Sequence, residues 1–394
     1  MQKFRPVNPD VVTIFTCGPS VYQIAHIGNF RTFLFEDILV RYLEFSGYRV
    51  LRGMNFTDIE DKAIEEARRQ HLTVEELAEK NIDDFLRQMS LLGMKRPDYL
   101  PRASKSVKEA VQIIKRLLDL KIAYRHNDDI YFDPLRYRGF GQLYGLDMTR
   151  WPQKKYHFRK DTYRGMRWNL GDFILWHGCR EGEKDCWNTE IGSGRPSWNI
   201  QDPSMIVRYF DETLSIYCGG IDNLIRHHDY TRAILESIRP YPMAKYWLHC
   251  HHLFVNGQKM SKSKGNIYYT DTLLRQGYSA AEIRFFLICN HYRSRVNYSE
   301  KNMRRAAGQL KAIRDRTFLV AKAAGRSLPA DGSTVRNLRR EFIRHMDDDL
   351  NVKLALDALL AALLNINTDA ISPEEAAGII ITLKEIDKVL RVIF

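Results

Sequence analysis

An alternation near the N-terminus narrows the fold more than any other feature of the chain. An apolar run, Val11-Val12-Thr13-Ile14-Phe15, gives way to a loop and then to a helical pattern from about Gly28 to Ser46. A second strand-like run follows, Arg49-Val50-Leu51-Arg52-Gly53-Met54-Asn55. Strand, helix and strand in that order predict two parallel strands joined by a right-handed crossover, and so an α/β fold with a parallel sheet.

The chain has 394 residues, room for two or three domains. Residues 59–92 and 104–121 carry helical periodicity, with Glu, Lys and Arg on the polar face. Between about 123 and 195 the texture changes. Tyr, Trp, Gly, Asp and Arg dominate, and short pieces such as Asp129-Ile130-Tyr131-Phe132 read as strands. This stretch is expected to be an insertion between two halves of a nucleotide domain. Strand patterns resume at Leu214-Ser215-Ile216-Tyr217 and Tyr246-Trp247-Leu248-His249. From Asp271 onward the chain reads as almost wholly helical, with a linker from Ala324 to Ser333 that holds Gly325, Pro329 and Gly332. The expected division is 1–122, 123–195, 196–270 and 271–394.

Apolar and charged residues make up 44% and 27% of the chain, ordinary for a soluble globular protein. No apolar run is long enough to span a membrane, and Met1-Gln2-Lys3-Phe4-Arg5-Pro6 holds no apolar signal core. The formal net charge of +12 favours a polyanionic ligand, tRNA or a set of phosphates, although a generally basic surface has the same balance. The six cysteines, Cys17, Cys179, Cys186, Cys218, Cys250 and Cys289, form no C-x-x-C pair. They argue against a disulfide scaffold and for a reducing, cytoplasmic setting.

Two segments carry chemistry. In His26-Ile27-Gly28-Asn29, a glycine at the mouth of a helix lets a base or sugar approach the backbone, and the helix N-terminus favours phosphates. His26 and Asn29 bracket that glycine and can donate to phosphate oxygens. Alone, the segment reads equally as a capped helix start with a surface histidine. In Lys259-Met260-Ser261-Lys262-Ser263-Lys264-Gly265-Asn266, lysines interleaved with serines make a cationic arm. Such an arm can follow a leaving pyrophosphate and stabilise charge present only in the transition state. The alternatives are a solvated basic loop or a nuclear address. Together the two segments read as halves of a site that splits ATP between its α- and β-phosphates and activates a carboxylate as an adenylate.

The pair resembles the HIGH and KMSKS signatures of class I aminoacyl-tRNA synthetases, and its surroundings resemble cysteinyl-tRNA synthetase. The resemblance rests on Thr16-Cys17-Gly18-Pro19-Ser20-Val21-Tyr22 and on Asn55-Phe56-Thr57-Asp58-Ile59-Glu60-Asp61-Lys62. It continues through Asp172-Phe173-Ile174-Leu175-Trp176, Gly194-Arg195-Pro196-Ser197-Trp198, Gly219-Gly220-Ile221-Asp222 and His227-His228. It ends with His291-Tyr292-Arg293-Ser294 and Met346-Asp347-Asp348-Asp349-Leu350-Asn351. It implies a Rossmann-type nucleotide domain with a connective insertion, followed by a helical domain. The implied reactants are ATP with Mg2+, cysteine and tRNA-Cys, and a monomer is the default. By the same resemblance His26, Asn29, Lys259 and Lys262 are catalytic. Gly28, Gly219, Gly220, Asp222, Ser261 and Ser263 meet the nucleotide, with Asp222 on a ribose hydroxyl. Thr57 and Trp198 flank the amino acid.

The chain also departs from that family, whose members hold the substrate thiolate on zinc with two Cys, one His and one Glu. Cys17 and His227 keep their places, but Asp202 stands at the second cysteine and Thr231 at the glutamate. Tyr217 replaces a histidine and is followed by Cys218, which is expected beside the adenosine. Two readings stay open. Either Cys17, Asp202 and His227 hold zinc, with a fourth position for a substrate thiol, or the pocket is metal-free and Asp202 bonds another group. Cys179, Cys186, Cys250 and Cys289 read as structural or exposed thiols. The family usually carries a small anticodon-binding domain beyond the point where Val389-Leu390-Arg391-Val392-Ile393-Phe394 ends this sequence. That leaves a tRNA acceptor and a small amine, as in the cysteine ligases of mycothiol synthesis, both open. The basic segment from Lys301 through Arg304, Arg305, Lys311, Arg314 and Arg316 can grip a tRNA backbone or be a solvated face. A catalytically idle regulator fits less well, because a binding module has no use for a pyrophosphate loop.

Overall fold

The computed structural model describes residues 4–158, 171–260 and 264–394. The crossover expected at the N-terminus is there. Strand β1 (Val12–Thr16) leads to helix α1 (Ile27–Phe45) and then to strand β2 (Val50–Met54), which lies parallel to β1 with Val12 opposite Val50. All five β1 residues are buried, which explains an unbroken apolar run where a half-exposed strand would alternate. Helices α2 (Asp61–Arg69), α3 (Val74–Leu91) and α4 (Val107–Asp119) follow. Thr73 and Glu76 start α3 with a capping box.

The stretch expected as an insertion forms its own five-stranded sheet from β3 (Ala123–His126), β4 (Asp129–Phe132), β5 (His157–Phe158), β6 (Asp172–Gly178) and β7 (Gly194–Pro196). All seven β6 residues are buried. Between β6 and β7, a disulfide joins Cys179 and Cys186, against the expectation of unpaired thiols. A tight turn brings their Cα atoms to 6.1 Å, within bridging reach. Their spacing alone carried no such signal. The other four cysteines are free.

The chain then returns to the first sheet. Helix α5 (Trp198–Tyr209), strand β8 (Leu214–Gly220), a π-helical turn over Leu224–His228, helix α6 (Asp229–Ile238) and strand β9 (Ala244–Cys250) complete the parallel order β2-β1-β8-β9. The connectivity reverses between β1 and β8, and their carboxyl ends open a crevice there. A hairpin of β10 (Leu253–Val255) and β11 (Gln258–Lys259) turns on Asn256 and Gly257, both with positive φ. That is the Asn-Gly pair a two-residue hairpin favours. The rest is helical, with α7 (Thr270–Arg275), α8 (Ala280–Ile288), α9 (Glu300–Ala324), α10 (Ser333–Asp347), α11 (Val352–Leu364) and α12 (Pro373–Leu390). The exception is β12 (Val296–Tyr298), which lies parallel to β10. No helix among the described residues is long and apolar enough to cross a membrane.

Helix α1 is the centre of the molecule. One apolar cluster runs from Val12 and Ile14 through Phe30, Leu34 and Ile38 to Phe286, Leu356 and Leu390. A second joins the insertion's sheet to α4, α5 and α6. Three charged residues of α1, Arg31, Glu36 and Asp37, are buried as well, and each has partners. Arg31 donates to the carbonyls of Leu287, Asn290 and His291 at the end of α8. Asp37 accepts from Arg284 at 2.6 Å and Arg41 at 2.9 Å. Burial pushes its carboxyl up, but the two guanidinium groups outweigh this and hold it below its usual range.

Glu36 accepts from Arg52 at 2.8 Å. Burial nevertheless moves its carboxyl from the usual 4.5 to about 7. Its proton is therefore retained in the folded chain over a window where the unfolded chain has lost it. The stability this contributes is complete below pH 4.5 and disappears as pH rises through about 7. Urea denaturation between those limits should show the wild type losing up to about 3 kcal/mol more than Glu36→Gln. Parallel pH profiles for the two proteins would contradict this.

Candidate active site

The crevice between β1 and β8 holds a cavity of about 280 Å³. Its walls come from four places. Cys17, Gly18, Pro19 and Ser20 follow β1, and His26, Gly28, Asn29, Thr32 and Phe33 open α1. Gly220 ends β8, Asp222 and Asn223 follow it, and His252, Leu253, Lys259 and Met260 belong to the hairpin and its approach. Thr57, Trp198 and Cys250 complete the lining.

His26 is the N-cap of α1. Its Nδ1 accepts the Asn29 amide at 3.2 Å, while the Asn29 side chain accepts the His26 amide at 3.0 Å. This reciprocal cap leaves the ring proton on Nε2, the nitrogen free to donate to a ligand. Burial lowers the His26 pKa, so the ring is a neutral donor at pH 7. The first amides of α1 add the positive end of the helix dipole at the same spot.

The two signature segments touch. A Cβ placed on Gly28 would lie 2.3 Å from Cε of Met260 and 3.0 Å from the His26 ring. Glycine is thus what lets the methionine tip rest on the start of α1. Gly18 is tighter still, because a Cβ there would lie 1.9 Å from the backbone oxygen of Asn55. The Asn-Gly hairpin delivers Lys259 and Met260 to the cavity, and Gly257 donates to the Asn297 side chain at 2.7 Å. Ser261, Lys262 and Ser263 lie outside the described residues.

Nine of the site residues expected from sequence line the cavity: His26, Gly28, Asn29, Lys259, Gly220, Asp222, Cys17, Thr57 and Trp198. Four stand behind it. Gly219 packs against the His228 ring, where a Cβ would meet Cε1 at 2.7 Å. Asp202, His227 and Thr231 are fully buried beyond the wall formed by Cys17, Thr57 and Trp198. Cys218 is also buried within the sheet, and it is Cys250, on the next strand, that reaches the cavity. Burial and the neighbouring Asp202 charge push the Cys17 thiol well above its usual range. Asn223 donates to Cys17 Sγ at 3.4 Å.

Sequence reasoning missed Asn55, Asn223 and His252. His252 lies close enough to Asp222 and Lys259 for both charges to act on it, and burial lowers its pKa. Nothing local marks it, since it sits in an irregular link between β9 and β10. Beneath β8, His228 and His249 share a hydrogen bond of 2.8 Å, and burial with the nearby Arg293 lowers the His249 pKa to about 4.

Residues 3–308 match the family model described as the catalytic domain of tRNA synthetases class I (C). A cysteine–tRNA ligase of Chlamydia muridarum is 35% identical over 414 aligned positions, covering 100% of this chain and 86% of that protein. One from Thermococcus onnurineus is 35% identical over 367 positions, covering 91% of this chain and 76% of that protein. A Mycobacterium tuberculosis methionyl-tRNA synthetase in complex with methionyl-adenylate shares the fold with a TM-score of 0.68 at 16% identity, covering 97% of this chain and 90% of that one. With two signature segments meeting at the switch point of a parallel sheet, and sequence kinship along its full length, the chain belongs to the class I tRNA synthetases, in the family of the cysteine-type catalytic domain.

Proposed function

We propose that this chain activates a small amino acid, cysteine by default, as its adenylate and passes the aminoacyl group to the 3′ end of tRNA. One observation carries the reading: His26, at the mouth of α1, and Lys259, on the hairpin, face one cavity that also contains Asp222 and Trp198. ATP with Mg2+ enters along the first turn of α1. Gly220 and Asp222 meet the adenosine, and Thr57 and Trp198 flank the amino acid. An oxygen of the α-carboxylate attacks the α-phosphorus, the bond to the bridging oxygen of the β-phosphate breaks, and pyrophosphate leaves with the electron pair. The tRNA hydroxyl then attacks the carbonyl carbon and AMP departs. No covalent enzyme nucleophile is needed. The protein positions the reactants and stabilises charge, with His26 Nε2–H, Asn29, Lys259 and Lys262 on the phosphates and Ser261 and Ser263 beside them.

The proposed units are residues 1–122 and 196–270 for the nucleotide fold, 123–195 for the insertion and 271–394 for the helical half. The proposed setting is the cytoplasm and the proposed state a monomer. Amino-acid-dependent ATP–pyrophosphate exchange, screened over all amino acids, tests the activity. Lys262→Ala should lower the exchange rate by about tenfold or more, the scale of one lost transition-state contact. An unchanged rate would remove the loop from the mechanism.

A further inference from the structure

We infer that the amino-acid pocket works without a metal and that Asp202 is a positioning residue which sets its shape through hydrogen bonds. This rests on the proposed amino-acid activation.

Proximity alone would allow an ion. Cys17 Sγ, a carboxylate oxygen of Asp202 and a ring nitrogen of His227 lie within 4.8 Å of one another. The donor set suits zinc poorly, because it pairs a single thiol with a carboxylate that three donors already meet. Asp202 Oδ1 accepts from Asn55 Nδ2 at 3.0 Å. Its Oδ2 accepts from the Tyr217 hydroxyl at 2.6 Å and meets His227 Nε2 at 2.9 Å. The other ring nitrogen of His227, Nδ1, is buried with no hydrogen-bond partner among the described residues. A zinc-binding histidine normally donates that second nitrogen to an acceptor. Thr231, one helical turn further on, offers an uncharged hydroxyl in place of a charged fourth ligand. Asp202 and His227 are both fully buried, and neither borders the cavity.

Those contacts give Asp202 a different task. Its partners come from three other elements: Asn55 at the end of β2, Tyr217 in β8 and His227 in the turn before α6. Three donors satisfy a carboxylate that would be costly to bury alone. Two of these links end on the pocket wall. His227 stacks on Trp198, with ring centroids 4.3 Å apart and planes 10° from parallel. Asn55 accepts the Gly18 amide at 2.8 Å, beside Cys17, and its Nδ2 lies 3.5 Å from the Thr57 hydroxyl. Through two neighbours, Asp202 reaches Trp198, Thr57 and the backbone that follows Cys17. Such a pocket reads a small side chain by shape and hydrogen bonding, without a metal–thiolate bond.

The test uses the purified full chain. Metal analysis should find zinc below about 0.1 per chain, far from the full occupancy of a structural or substrate-binding site. Exchange should survive a zinc chelator, and cysteine should be preferred over serine by no more than about 100-fold, the limit for an isostere read by shape. Asp202→Asn should raise the amino-acid KM about tenfold or more, the scale of a lost charged hydrogen bond, and leave the ATP KM unchanged. If that variant does not fold, Tyr217→Phe should show the same selective effect on a smaller scale. Zinc at about one per chain that is lost in Cys17→Ser, or exchange abolished by the chelator, would overturn the inference. Equal shifts in both KM values would reduce Asp202 to a general structural part. Exchange with no amino acid at all would instead overturn the ligase reading, and the metal content would still decide this one.

Discussion

Replacing His26 by alanine is expected to lower ATP–pyrophosphate exchange by about 100-fold or more, the usual effect of removing one preorganised donor to developing charge. The reasoning starts from the cap. Nδ1 accepts the Asn29 amide, so the ring proton sits on Nε2 of a histidine that lines the cavity. Burial lowers the His26 pKa and so favours the neutral ring. Alanine removes the donor and the cap together, and the cap alone is worth about 1 kcal/mol of stability. The substitution His26→Asn separates the two effects. Asparagine caps helices well but is too short to place a donor where Nε2 stands. Its melting temperature should therefore stay near that of the wild type while exchange falls almost as far as in His26→Ala. If His26→Asn keeps most of the activity, His26 serves α1 and not the phosphates.

Arg284→Ala should be among the most destabilising single changes in the molecule, costing roughly 3–5 kcal/mol in urea denaturation. The guanidinium is buried and spends its donors on three elements. Nε donates to the Leu390 carbonyl at 2.7 Å, one terminal nitrogen to Leu92 at 2.9 Å and the other to Asp37 at 2.6 Å. Alanine leaves two buried carbonyls unpaired and strips Asp37 of one of its two cations. Arg41 still holds the carboxylate, which keeps the loss towards the lower end of that range. A loss below about 1 kcal/mol would mean that water or a rearranged Arg41 replaces the missing contacts.

Much of the architecture was legible because local signals and tertiary burial agree. The β1-α1-β2 unit, the strands at Leu214 and Tyr246 and the helical half all carry their period in the sequence. The Asn256-Gly257 pair between extended residues carries a strong hairpin signal of its own, which the structure realises. Other features have no local signature. Nothing in the sequence marks Arg31, Glu36 and Asp37 as buried, and only the packing of β2 and α8 against α1 gives them their partners. Cys179 and Cys186 meet because the chain turns back between them in the link from β6 to β7, a closure that their spacing does not announce. The site was legible as two ends of a cavity. The network behind the wall was only half legible: the resemblance picks out Asp202, Tyr217 and His227, but their bonds, and the part Asn55 takes in them, depend on four separate elements whose register only the folded sheet provides.

Helix α1 carries His26 at one end, Arg31 on the carbonyls that finish α8, and Asp37 on Arg284 further along. His26 and the helical half thus share a single axle. A fragment ending near residue 270 would bare a flank of that axle, guanidinium and carboxylate included, and would not be a smaller enzyme but an insoluble one. The same coupling gives any partner that leans on the helices a lever arm reaching His26.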